Sequence, residues 1–290
     1  MGNYPLIGSQ GSVVSWGATG TASNFYADLL SSITPASARW TISGDVHDVT
    51  GMGTYAVAKI PGLKSATAVI SGFGGNAAGA VTPYVGNRGT LSFSAGGYAL
   101  HIQSWEWTAR TLAVHDITST SQASPVLWRY FRPDIFTHSA RFTALVDDTT
   151  SLANLPDVGA SPPTVTLTYG SSQTITITGI LRMVDCTVAK GNKQLITYEI
   201  DGTSTAAMSG GFLSGLGTSD TWGGSANLTP FWTAGSASIE GQLIINNTST
   251  GPKRVTFADS WWSSIRVAVS PGAPVGVQIG VQATGVVTIA

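Results

Sequence analysis

"TITITGILRMVDCTVAKGNKQLITYEIDG", residues 174–202, alternates apolar and polar residues on either side of "KGNK" at 190–193. Period-two patterning rich in β-branched residues predicts two strands, and the glycine-containing tetrapeptide between them predicts a hairpin turn. The same alternation recurs at Thr90–Trp107 ("TLSFSAGGYALHIQSWEW"), Thr164–Gly170 ("TVTLTYG") and Val275–Ile289 ("VGVQIGVQATGVVTI"). Gly, Ser and Asn break these runs, so the expected fold class is all-β with antiparallel connections. Helical spacing is confined to "FYADLLSS" (Phe25–Ser32) and "SPVLWRYF" (Ser124–Phe131), where Ser124 is placed to cap a helix and Pro125 to open it. At most one short helix is expected in each domain.

Composition narrows the function. Only 10% of the 290 residues are charged, against about 25% in an ordinary soluble domain. A surface so thinly charged is poorly defended against self-association, and a permanent oligomer that buries it resolves the difficulty. The 14 basic and 15 acidic residues leave a net charge of −1, with no basic face for nucleic acid and no acidic tail. Nine Trp, eight Tyr and nine Phe argue against a disordered chain despite 35 glycines. The single cysteine, Cys186, excludes an intrachain disulfide and a cysteine metal cluster. "MGNYPLIGSQ" has neither a basic n-region nor an apolar h-region, and lacks the Ser or Thr expected at the sixth position for myristoylation. No apolar run reaches about 18 residues. Neither a signal peptide nor a membrane span is expected, which predicts synthesis and assembly in a cytoplasm.

A repeat organises the rest. "WTISGDVHDVT" (Trp40–Thr50) is echoed by "WTARTLAVHDIT" (Trp107–Thr118), and "PGLKSATAVISG" (Pro61–Gly72) by "PDIFTHSARFTA" (Pro133–Ala144). The second copy continues into the strand pair at 174–202, whereas the first has no such pair before the second copy begins. Its counterpart is the C-terminal "SSIRVAVSPGAPVGVQIGVQATGV" (Ser263–Val286), again strand, turn, strand. This order predicts a nested duplication. An arm and short helix span residues 1–35, a discontinuous first domain spans 36–95 plus 225–290, and a second domain at 96–208 is inserted into it. A glycine-rich linker at 209–224 leads back. Each domain is expected to be a sandwich or barrel.

The doubled His-Asp pairs, His47-Asp48 and His115-Asp116, invite a catalytic reading. Neighbours on a regular strand point to opposite faces, so an adjacent His and Asp cannot enter one site together. No G-x-S-x-G elbow accompanies them, and only three glutamates (Glu106, Glu199, Glu240) could offer paired carboxylates. Four histidines (His47, His101, His115, His138) lack metal-ligand spacing. "GFGGNAAG" (Gly72–Gly79) has no following Lys-Ser/Thr, so no phosphate-binding loop is expected. No catalytic, cofactor-binding or metal residues are therefore assigned, and the chain reads as a non-enzyme without cofactors. Asp48, Thr50, Asp116 and Thr118 read instead as turn-closing residues that mark the repeat.

"GDVHDVTGMGTYAVAKIPGLKSATAVISGF" (Gly44–Phe73) resembles the signature stretch of bacteriophage tail tube (major tail) proteins, in which an Asp-x-Thr turn, an excursion and an "I-P-G-L" entry lead into a Ser/Thr-rich strand. The second copy is similar from "VHDIT" through "RPDIFTHSARFTALVDD" (Arg132–Asp148) to "YEIDGTST" (Tyr198–Thr205), departing at "PDIF". The resemblance implies a tube-type domain, rings of six such domains, and stacking of rings into a virion tail through which DNA is ejected. A duplicated domain then implies a homotrimeric, pseudo-hexameric ring. The implied partners are further copies of the chain and tail proteins such as the tape measure protein, with DNA passing without specific binding. It also implies that the excursions Thr50–Pro61 and Thr118–Pro133 contact neighbouring subunits or rings, with Met52, Tyr55, Leu127, Trp128 and Tyr130 as anchors.

Three further readings stand beside this one, the least supported being a hydrolase built on a β-sandwich, for which no paired carboxylates stand out. A carbohydrate-binding β-sandwich would use exposed tryptophans for sugar stacking, with one of Trp261 and Trp262 facing outward or into an interface. A related tail terminator or distal-tail ring would share the fold without polymerising indefinitely.

Overall fold

The computed structural model describes residues 13–18, 33–53, 56–76, 82–83, 91–93, 101–112, 114–119, 128–133, 136–145, 158–159, 164–169, 174–188, 190–191, 194–203, 207–209, 239–246 and 253–290. Among these residues the chain is all-β, as the alternation predicts, and contains no helix. The strands are β1 (Val13–Ala18), β2 (Ile33–Asp48), β3 (Lys59–Asn76), β4 (Thr82–Pro83), β5 (Leu91–Phe93), β6 (His101–Thr111), β7 (Val114–Asp116), β8 (Phe131–Pro133) and β9 (Phe136–Leu145). They continue as β10 (Thr164–Thr168), β11 (Thr174–Thr187), β12 (Leu195–Gly202), β13 (Ala207–Ser209), β14 (Ile239–Asn246), β15 (Lys253–Val269), β16 (Gly276–Ala283) and β17 (Val287–Ile289).

One 15-stranded sheet follows the order β2-β3-β16-β15-β6-β9-β12-β11-β10-β5, and β7 and β8 pair separately. β14 and β17 join β15, β13 joins β11, β4 joins β3, and β1 joins β14. The two halves of this sheet, β2-β3-β16-β15 and β6-β9-β12-β11, meet at the β15–β6 ladder.

Two pairs of ladders run in corresponding registers. Trp40 pairs with Ala68 on β2–β3, and Trp107 with Ala140 on β6–β9. Val46–Pro61, His47–Ile60 and Asp48–Lys59 reappear as Val114–Pro133, His115–Arg132 and Asp116–Phe131. On the other side, Ile70 pairs with Ile279 where Phe142 pairs with Tyr198. Ile279 then pairs with Ile265, and Tyr198 with Val184, so the step along the chain from Tyr198 to Ile279 equals that from Val184 to Ile265. The same step carries the ladder irregularity between Leu181 and Met183 onto the one between Trp262 and Ser264. Bulges are positional features of a strand pair, so their coincidence matters more than similar strand lengths.

Alternation places the core. Ala66, Ala68 and Ile70 on β3, Ile196, Tyr198 and Ile200 on β12, and Val277, Ile279 and Val281 on β16 are buried. The rings of Phe142 and Tyr198 stack at 5.1 Å across their strand pair. Trp107 is fully buried, and burying one large apolar side chain is worth about 1.5–3 kcal/mol. The hairpin turn of the opening stretch is made at Gly191, whose φ of 79° belongs to the left-handed region that glycine tolerates.

Three expectations fare differently here. "FYADLLSS" lies outside the described residues. In "SPVLWRYF" the described part is extended, with Trp128 bridging to Lys64 and Phe131 opening β8; pairing with distant backbone overrides the helical spacing. Trp261 and Trp262 are both buried in this chain, Trp262 in the main cluster and Trp261 outside it, so neither faces outward.

Candidate functional site

Each repeated pentapeptide ends in a turn built from one carboxylate and one hydroxyl. Asp48 Oδ1 accepts from the Thr50 amide (2.8 Å) and the Thr50 hydroxyl (2.5 Å), while Thr50 Oγ1 accepts from the Ala58 amide (2.9 Å). The Val49 amide donates to the Ala58 carbonyl at 2.9 Å, fixing the return strand. In the second turn Asp116 Oδ1 accepts from the Thr118 amide (3.0 Å) and hydroxyl (2.5 Å), and Thr118 Oγ1 accepts from the Tyr130 amide (2.9 Å). Ile117 donates to the Tyr130 carbonyl at 2.8 Å. The geometry is an Asx-type turn whose threonine spans to the far strand.

This arrangement sets the electrostatics. The Thr50 hydroxyl, then the Thr50 amide, holds the Asp48 carboxyl below its ordinary value. The Thr118 hydroxyl and amide do the same for Asp116, with Arg129 adding to the effect. A carboxylate so stabilised stays ionised and is a poor general acid. Both aspartates engage Oδ1 in closing their own turns. His47 covers Gly62, where a Cβ would come within 2.5 Å of His47 Nε2. Among the described residues no group of His, Cys, Asp and Glu is arranged to hold a metal ion.

The two excursions differ in what they meet. Met52, at the tip of the first, is fully exposed. Tyr55 and Leu127 lie outside the described residues. Trp128 packs partly buried against the core, with Lys64 Nζ 5.9 Å from its ring centroid. Arg129 donates to Asp45 Oδ2 at 2.6 Å and to Asp116 Oδ2 at 3.0 Å, and its amide reaches the Lys64 carbonyl at 2.7 Å. Gly285 donates to the Arg129 carbonyl at 3.0 Å and lies against the Tyr130 ring, where a Cβ would be 3.0 Å from Cε1. The end of the second excursion is therefore clamped between β2–β3 and the β16–β17 connection of its own chain. Asp45, Lys64 and Arg129 carry this clamp, and sequence reasoning passed over all three. The available signal was an unassigned Asp at residue 45 and an Arg inside a stretch read as helical.

Tryptophan exposure bears on the sugar-binding reading. Trp105, Trp107, Trp261 and Trp262 are buried, and Trp40 and Trp128 are partly buried. Among the residues with described side chains no tryptophan stands free for stacking on a sugar.

No family model and no curated protein matches the chain. Among solved structures, 43% of this chain is similar to 98% of a chain described as "Virion of native gene transfer agent (GTA) particle", at 7% identity and a TM-score of 0.35.

Proposed function

We propose that this protein is a structural virion component of the tail tube type, a non-enzyme whose copies associate into rings that stack as a conduit for DNA. The observation that carries the reading is the correspondence of registers: two four-strand runs, β2-β3-β16-β15 and β6-β9-β12-β11, lie side by side with matching pairs and matching bulges. We read these as two nested copies of one unit. β1–β4 with β14–β17 form the first copy, and β5–β13 form the second. β1 pairs with β14 as β5 pairs with β10, and this supports counting β5 with the second copy. Two units per chain suit a ring of three chains and six units, closed by repetition of one heterologous contact. The thinly charged composition and the absence of a basic excess suit a channel through which DNA slides. Other tail proteins, the tape measure protein among them, are the partners of such a tube, and the virion tail is its location. The exposed tip at Met52 and the first excursion are the surfaces offered to a neighbouring ring.

Negative-stain electron microscopy of the purified chain across a concentration series tests the proposal. Rings with threefold or pseudo-sixfold symmetry, stacking into hollow tubes, are expected. Rings that never stack would favour a terminator or distal-tail role, and monomers at every concentration would overturn the reading.

A further inference from the structure

The seam between the two halves of the sheet has a counterpart that finds no partner among the described strands. Inside the molecule β15 meets β6 edge to edge, with Ile265 opposite Ala109, Arg266 opposite Thr108 and Val267 opposite Trp107. The core-facing side chains of this seam, including Trp105, Trp107, Ile265 and Val267, are all buried. On its other face Arg266 Nη2 donates to Glu106 Oε2 at 2.5 Å.

The strand in β15's position within the other run is β11, with Val184 standing where Ile265 stands. The strand in β6's position is β2, with Trp40 standing where Trp107 stands. Each has an edge without a partner among the described strands at the corresponding place. Among the described strands β2 pairs only with β3, and β11 from Met183 to Thr187 pairs only with β12. The Gly159 amide reaches the Leu181 carbonyl at 3.0 Å just ahead of that stretch. Val184 and Val188 are 38% and 66% exposed, where their counterparts Ile265 and Val269 are buried. Met183–Val188 contains no Lys, Pro or Gly of the kind that blunts an open edge. β2 and β11 lie at opposite ends of the two adjoining runs and do not pair with each other.

We propose that the open edge of β11 pairs with the open edge of β2 from a second copy of this chain, in the register of the internal seam, so that Val184 lies opposite Ile42, Asp185 opposite Thr41 and Cys186 opposite Trp40. Charge argues for this occupant. The position of Arg266 is taken by Asp185 and that of Glu106 by Arg39, so an oppositely charged pair recurs across the joint with its polarity reversed. Among the described residues neither Arg39 nor Asp185 has an ion-pair partner within its own chain. Shape agrees as well, since a half-buried Trp40 and Ile42 on one edge meet exposed Cys186 and Val184 on the other. The inference rests on the ring-assembly reading and specifies the joint between its chains.

Two experiments on the full-length chain test it. The first places cysteines at Thr41 and Asp185 in a Cys186→Ala background. Directly opposed residues on antiparallel strands have Cα atoms about 4.5–5.5 Å apart, within disulfide reach. Mild oxidation is expected to give a covalent series of chain multiples on a non-reducing gel, and an out-of-register pair, Thr41→Cys with Arg182→Cys, is expected to give none. The second measures self-association by sedimentation. Arg39→Asp is expected to raise the midpoint concentration about tenfold, and adding Asp185→Arg to bring it back within about threefold of the wild type. Circular dichroism of the dissociated variants separates loss of the joint from loss of the fold. Assembly without the disulfide series and without charge rescue overturns this joint and leaves the ring reading standing. A wild-type chain that stays monomeric at every concentration overturns both.

Discussion

Gly202 and His138 show how one site tolerates two solutions. A Cβ on Gly202 would collide with His138 Cε1, so the buried imidazole occupies the space that an alanine would need. At the corresponding positions of the other run stand Ala66, in the place of His138, and Ala283, in the place of Gly202, both buried. Gly202→Ala is expected to cost about 1–3 kcal/mol by overpacking. Gly202→Ala with His138→Ala recreates the two-alanine arrangement and is expected to cost less than the single change, as read by urea denaturation of all three variants. The two aspartates of the turns make a pH prediction at the same scale. Their folded carboxyl values lie below the ordinary 3.8, so the stability they supply is complete above that value and is lost as pH falls through the folded values. Melting temperature is expected to drop below about pH 4, and Asp48→Asn with Asp116→Asn, which keeps the acceptor oxygen, should flatten that part of the curve. These turns were legible because Asp-x-Thr chemistry is local in sequence. The exchange of His138 and Gly202 for two alanines was not, because it depends on which residues meet across β9 and β12.

Among the elements, the return of the second excursion through Trp128–Phe131 is where sequence reading failed most clearly. A serine cap, a proline and large apolar residues make a fair helix start. The competing partners are far away in sequence: Lys64 for the Trp128–Arg129 backbone, Asp45 for the guanidinium and Thr284 for the Phe131 amide, 2.8 Å away. No window along the chain contains them. Arg129→Ala is expected to lower the midpoint of thermal unfolding, and the loss should largely disappear when Asp45→Asn and Asp116→Asn are already present. Equal losses in both backgrounds would assign Arg129 a packing role instead. The strands themselves were legible wherever side chains alternate, as on β10 ("TVTLT") and β12 ("LITYEIDG"). The bulge at Leu181–Met183 left no comparable mark, since one slipped residue barely disturbs a period-two pattern.

For the molecule as a whole, the decisive feature is that the halves share backbone hydrogen bonds. The seam buries Trp105 and Trp107 of one half beside Val267 and Val269 of the other. Neither half can come apart without exposing both sets, so far-UV circular dichroism and tryptophan fluorescence are expected to report one coincident unfolding transition. Two resolved transitions would mean that the halves are joined more loosely than their ladder implies. Composition and alternation predicted the all-β class, and the pentapeptide echo pointed to the ladders that correspond. What no pattern revealed was that β15 lies against β6, because partners such as Ser264 and Arg110 stand far apart along the chain and share no local signal.

The Arg266–Glu106 pair at that seam has a consequence for which strand edges can meet. A β15 edge that captured β2 of another copy would set Arg266 beside Arg39, and a β11 edge that captured β6 would set Asp185 beside Glu106. Either wrong match brings like charges together, whereas both right matches bring opposite ones. The charges thus sort the β6 edge from the β2 edge, whichever copy carries it. The reversal gives each edge an address, and it does so by making mistaken delivery unfavourable.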